Sequence, residues 1–78
     1  MALRSNGSEI RRRRALKGLK LTEFAQLTGY TLNHASQVEL GHNNAGPAFL
    51  RKAAEVFECQ VEDLLMETPH QRAKADKA

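Results

Sequence analysis

Few side chains in this sequence could carry chemistry, and their spacing narrows what they could do. His34, His42 and His70 lie far apart, with no Cys or carboxylate at metal-ligand spacing, so structural or solvent-exposed histidine is expected rather than zinc. Cys59 is the only cysteine and sits in an aliphatic stretch, which reads as a reduced, buried small hydrophobe. A catalytic thiol would need a nearby base and an open pocket, and neither is indicated. There is no Gly-rich phosphate loop, nucleophile motif or carboxylate pair suited to a cleft, so no enzymatic activity, cofactor or metal is expected. Arg11–Arg14, four arginines in a row, are the strongest chemical feature left. Such a run either faces a polyanion or covers a solvated helix face.

The wider charge pattern suits a polyanion on one side and a protein contact elsewhere. Residues 1–20 hold seven Lys/Arg against one acid, a balance of +6; residues 21–46 carry −2, 47–67 carry −3 and 68–78 carry +2. With 78 residues, 41% of them hydrophobic and none Trp, the chain has room for one small helical core rather than a sandwich or a catalytic cleft. No segment approaches the ~18 apolar residues of a membrane span, and no apolar run follows the first basic residues as in a secretory signal. A cytoplasmic protein without membrane contact is expected. One cysteine allows no internal disulfide, so the reinforcement that a domain this small usually needs would be a metal or self-association.

The elements that must position these groups read as five short helices, an all-α architecture. The first runs from about Ser5 or Ser8 to Lys17, with serine as N-cap and Gly18 as C-cap; Ile10, Arg14 and Lys17 share one face. The second covers about Leu21 to Thr28, with Phe24, Ala25 and Leu27 apolar and Gly29 ending it. Thr31 caps a third that runs to Leu40, before Gly41. Pro47 opens a fourth, in which Leu50, Ala53, Ala54 and Phe57 follow the i, i+3, i+4, i+7 rule. After a break at residues 58–60, a fifth is expected over Val61–Glu67, with Val61, Leu64 and Leu65 inward and Pro69 stopping it. One domain over residues 1–67 is expected, then a disordered polar tail over 68–78.

Leu21 to Gly41 carries the most specific pattern. A helix-turn-helix needs a small residue where its two helices cross near a right angle, and Ala25 fits. Four residues later it needs one that tolerates positive φ, and Gly29 fits. Ala35 and Val38 then seat the second helix on the first, leaving the side chains between them facing solvent or DNA.

These residues resemble the lambda-repressor-like, or Cro/CI-type (XRE), helix-turn-helix family, and the resemblance runs from about Ile10 to Leu65. It takes in Glu39-Leu40-Gly41 after the third helix, then Pro47-x-Phe49-Leu50 through Ala54 and Phe57 to Val61-x-x-Leu64-Leu65. The resemblance implies that Arg14 pairs with Glu39. It implies base reading by Leu32, Asn33, Ser36 and Gln37, with His34 beside them. Asn and Gln can each make two hydrogen bonds to adenine N6 and N7, and Leu32 can pack on a thymine methyl, so A·T-containing half-sites are expected. It also implies phosphate contacts from Lys20, Thr22, Thr31, His42, Asn43 and Asn44, with Arg4 and Arg11–Arg13, Arg11 and Arg12 foremost, supplying charge.

The sequence departs from the family where helix two is usually capped by Thr or Ser followed by Gln: Lys20-Leu21 stands there, so either Thr22 caps later or Lys20 supplies a flexible charge. Arg13 and Thr28 occupy positions that are usually apolar.

A resemblance of this kind implies a regulator that binds a double-stranded DNA operator as a homodimer, of phage, plasmid or restriction-modification controller type. Glu62, Asp63 and Met66 are the dimer candidates. The rival reading is an antitoxin or anti-repressor that grips a protein partner through the acidic surface near Glu55, Glu58, Glu62 and Asp63.

Overall fold

The computed structural model describes residues 2–68, in the order β1 (Ala2–Ser5), α1 (Gly7–Leu16), α2 (Leu21–Thr28), α3 (Leu32–Glu39), α4 (Pro47–Phe57), a 3-10 turn (Val61–Leu64) and β2 (Leu65–Thr68). Two expectations are corrected. The fold is mostly helical, as expected, but not wholly so: β1 and β2 pair antiparallel, with Leu3 opposite Glu67 and Arg4 opposite Met66. The fifth α-helix is replaced by a single 3-10 turn that runs into β2.

The physical reason is competition for backbone partners. The Asp63 carboxylate accepts the Gln60 N–H at 3.0 Å and closes one turn. Beyond it, residues 65–68 find a ladder in the N-terminal strand instead of i→i−4 bonds. Leu64 still points inward and is fully buried, as the apolar spacing requires. Of the tail expected over 68–78, everything past Thr68 lies outside the described residues.

The strand also moves the start of the first helix. Ser5 is taken up in β1, where its hydroxyl accepts the Ala45 N–H at 2.9 Å, so Asn6 becomes the N-cap and accepts from the Glu9 N–H at 3.2 Å. Gly7 follows, with its backbone pressed on the last turn of α3. A Cβ there would fall 2.6 Å from the Glu39 carbonyl oxygen and still closer to that of Val38. Only glycine lets the positive end of α1 approach the carbonyls at the negative end of α3 so closely.

Three phenylalanines organise the core. The Phe24 ring stacks on Phe57 at 5.2 Å and meets Phe49 edge-on at 5.8 Å, which joins α2 to α4. Ile10 from α1, Val38 from α3 and Leu64 close the core around them. Thr28 is buried without cost because its hydroxyl donates to the Ala25 carbonyl at 3.0 Å. Of the apolar residues of α2, Leu27 is half exposed, and the helix holds on through buried Phe24 and Ala25. Cys59 is half-buried against the core, and burial pushes its thiol above the usual range. Among the described residues, no helix is long and apolar enough to cross a membrane.

Gly7→Ala should force α1 away from α3 and destabilise the fold by about 1–3 kcal/mol, the cost of overpacking a tight contact. Urea unfolding followed by circular dichroism would measure it; an unchanged midpoint would show that the two helix ends are free to separate.

Candidate nucleic-acid interface

The central feature is a short helix held at both ends with one face free. Its front end is set by the turn after α2. Gly29 adopts φ 79°, and the Gly29 and Tyr30 N–H groups return to the carbonyls of Gln26 and Ala25 at 3.2 and 3.1 Å. The chain then reverses, and the Thr31 hydroxyl accepts the His34 N–H at 3.1 Å to start α3. Ala25 and Ala35 are both buried where the helices cross, and Val38 is fully buried one turn on.

The far end of α3 is fixed by Arg14. Its guanidinium donates from Nε to Glu39 Oε2 at 2.6 Å, from Nη2 to Glu39 Oε1 at 3.1 Å, and from Nη1 to the Leu19 carbonyl at 2.8 Å. Both side chains are largely shielded, with 16% of Arg14 and 6% of Glu39 exposed. Arg4 adds a bond from Nη2 to the Gly41 carbonyl at 3.0 Å.

Leu32, Asn33, Ser36 and Gln37 lie on the side of α3 away from Ala35 and Val38, Leu32 and Asn33 exposed and the other two half-buried. His34 is separated from them. Its ring stacks on Tyr30 at 4.9 Å and meets Phe49 at 5.5 Å, so it seals the edge of the core rather than sharing the open face. The sequence carried a signal for this, since Tyr30 and His34 are four residues apart, but the pairing depends on the turn geometry.

The cationic flank resolves into residues with different freedom. Glu9 holds Arg12 at 3.0 Å and Arg13 at 2.7 Å, and the hydrogen bond from Arg13 raises that guanidinium's pKa further. Among the described residues Arg11 makes no ion pair, and it lines a shallow groove of about 230 Å³ with Ser36, Leu40 and Leu21, beside the Arg14–Glu39 pair.

Thr22 and Asn43 are exposed, as is Lys20, which sits at the N-cap of α2. Thr22 does not cap; the Glu23 carboxylate accepts the Lys20 N–H at 2.8 Å instead. Two loop residues expected at phosphate are engaged within the protein: Asn44 Oδ1 accepts from the Ser5 N–H at 2.7 Å and its hydroxyl at 3.1 Å, and His42 Nδ1 lies 2.9 Å from Gln37 Oε1. Sequence reasoning found neither contact. Glu62, Asp63 and Met66 are exposed, the first two on the 3-10 turn and Met66 on β2.

A helix locked at both ends, seated by small residues and flanked by unspent positive charge, is the geometry of a helix-turn-helix domain. A family model described as "Helix-turn-helix" matches residues 10–64, and the chain belongs to that family, in its Cro/CI-type branch of DNA-binding transcription regulators.

The chain is similar to the restriction-modification controller protein C.AhdI from Aeromonas hydrophila, with 28% identity and a TM-score of 0.70 over 74% of this chain and 88% of that one. It is similar to the N-terminal DNA-binding domain of SinR from Bacillus subtilis, with 29% identity and a TM-score of 0.72 over 82% and 93%. The structure of SinR, described as the master regulator for biofilm formation, in complex with DNA matches at 30% identity and a TM-score of 0.70 over 74% and 94%. A comparison with curated proteins finds no match.

Arg14→Met, which leaves Glu39 without its partner, should cost about 3 kcal/mol, toward the lower end for an ion stranded in a protein interior. Replacing both Arg14 and Glu39 by apolar residues should recover part of that loss in thermal unfolding. A near-zero effect of the single substitution would mean the pair does not hold α3.

Proposed function

We propose that this protein is a transcription regulator that binds a two-fold operator in double-stranded DNA as a homodimer, each copy laying α3 in the major groove. The observation that carries the reading is the open face of Leu32, Asn33, Ser36 and Gln37 on a helix immobilised by Arg14, Thr31 and Gly7. A groove-reading helix must hold its side chains in register with base edges, and a rigid mount supplies that.

Asn33 is exposed, and no other protein group is bonded to its side chain among the described residues, so both amide ends are available to adenine N6 and N7. Leu32 is 46% exposed and fits a thymine methyl. Arg11, Lys20, Thr22 and Asn43 meet phosphates; Arg12 contributes through a charge shared with Glu9.

Each monomer presents one short helix, too small a footprint for tight specific binding alone, so two copies read half-sites roughly 34 Å apart. The surface around Met66, with Glu62 and Asp63 beside it, is the dimer candidate; Met66 is 40% exposed. The controller role is supported by the similarity to C.AhdI, and repression follows where the bound dimer overlaps a promoter. A second use, gripping a protein partner, is favoured by one observation: SinR has been solved in a complex with SinI protein, and that match covers 90% of this chain. The exposed acids Glu55, Glu58, Glu62 and Asp63 would serve such a contact here.

Selection from random duplexes should recover a two-fold symmetric site with half-sites about one turn apart. On that site Asn33→Ala should cost about 1–3 kcal/mol and relax preference at one base position. Arg11→Ala should weaken all sequences alike and lower the salt slope by about 1. If both variants behave identically, the reading face is assigned wrongly.

A further inference from the structure

We propose that His42 is a positioning residue for Gln37, fixing which end of the Gln37 amide meets the base. This rests on the reading above that Gln37 faces the groove.

The contact is built by the way α3 ends. Gly41 turns left-handed at φ 81°, which brings the Gly41 N–H to the Val38 carbonyl at 3.1 Å and the His42 N–H to the Gln37 carbonyl at 2.9 Å. Helix ends of this kind bring together the side chains at the two ends of the longer bond, and an apolar contact is the usual outcome. Here the contact is polar, with His42 Nδ1 2.9 Å from Gln37 Oε1. An amide oxygen only accepts, so Nδ1 carries the hydrogen and donates.

The consequence lies in the symmetry of the glutamine. Its O and NH₂ ends are nearly equal in size, and half a turn of the amide exchanges them. A free glutamine can therefore offer either order to a base edge. The His42 bond selects one order, with Oε1 committed to the loop and the two Nε2 donors unspent. A donor is complementary to purine N7, guanine O6 or thymine O4, and is mismatched to the amino groups of adenine and cytosine. Discrimination at the Gln37 position then belongs to the pair. Had His42 served as a phosphate contact, its loss would weaken every sequence equally.

The test uses the full chain and duplexes carrying each single-base change in the selected site. Gln37→Ala identifies the position concerned by flattening its preference, about tenfold between best and worst base. His42→Phe keeps the ring and removes the donor; it should flatten the same position while leaving other positions and the salt slope unchanged. His42→Asn, whose amide N–H stands near where Nδ1 stood, should restore the preference. The inference is overturned if His42→Phe weakens all duplexes alike, or leaves intact the position that Gln37→Ala flattens. If Gln37→Ala flattens no position, the reading-face assignment fails and the inference falls with it.

Discussion

The fold depends on where Arg14 puts its guanidinium. That one side chain reaches both oxygens of Glu39 at the end of α3 and the Leu19 carbonyl in the loop before α2, so it sets three segments relative to one another. Moving a charge into a shielded site is unfavourable unless its donors are matched, and here Nε, Nη1 and Nη2 each find an acceptor. An aliphatic residue could fill the same space but could not specify the angle of α3, because hydrophobic contact has no direction. The bidentate geometry has one.

Other contacts make sense as reinforcements of that placement. The Gly7 backbone abuts the Val38 and Glu39 carbonyls, Arg4 holds the Gly41 carbonyl, and Asn44 pins the following loop to Ser5. Together they bind the C-terminal end of α3 to the N-terminal strand and helix. The arginine run divides accordingly: Glu9 restrains Arg12 and Arg13, Arg14 is turned inward, and Arg11 is left facing solvent near Ser36. Four like residues thus take three different roles, set by helical phase and by the Glu9 and Glu39 carboxylates.

Much of this was legible in the sequence where the determinants are local. Ala25, Gly29, Ala35 and Val38 announce the two-helix turn through size and φ tolerance, and α4 shows its inward stripe at helical spacing. The pairing of Arg14 with Glu39 was legible through family resemblance, since nothing local joins positions 14 and 39, whereas its bond to the Leu19 carbonyl was not. The β1–β2 pair was not legible: two four-residue strands at opposite ends of the chain have no turn between them to signal a hairpin. For the same reason Val61, Leu64 and Leu65 fitted a helix as well as a 3-10 turn entering a strand. At the site, His34 counted as a reader by its place in α3, yet the φ of Gly29 carries Tyr30 against it and folds it into the core edge. The Gln37–His42 contact is likewise a product of cap geometry at Gly41, which residue types alone do not disclose.

In the proposed function α3 reads base edges while the flanking cations hold the DNA backbone. Titrating labelled duplex against the protein across a range of salt concentrations tests it most directly, comparing the selected site with a scrambled duplex of the same length. A steep log–log fall of affinity with salt is expected on both duplexes, with a preference for the selected site that persists as salt rises. Flat, sequence-blind binding would contradict it and point to a protein partner instead.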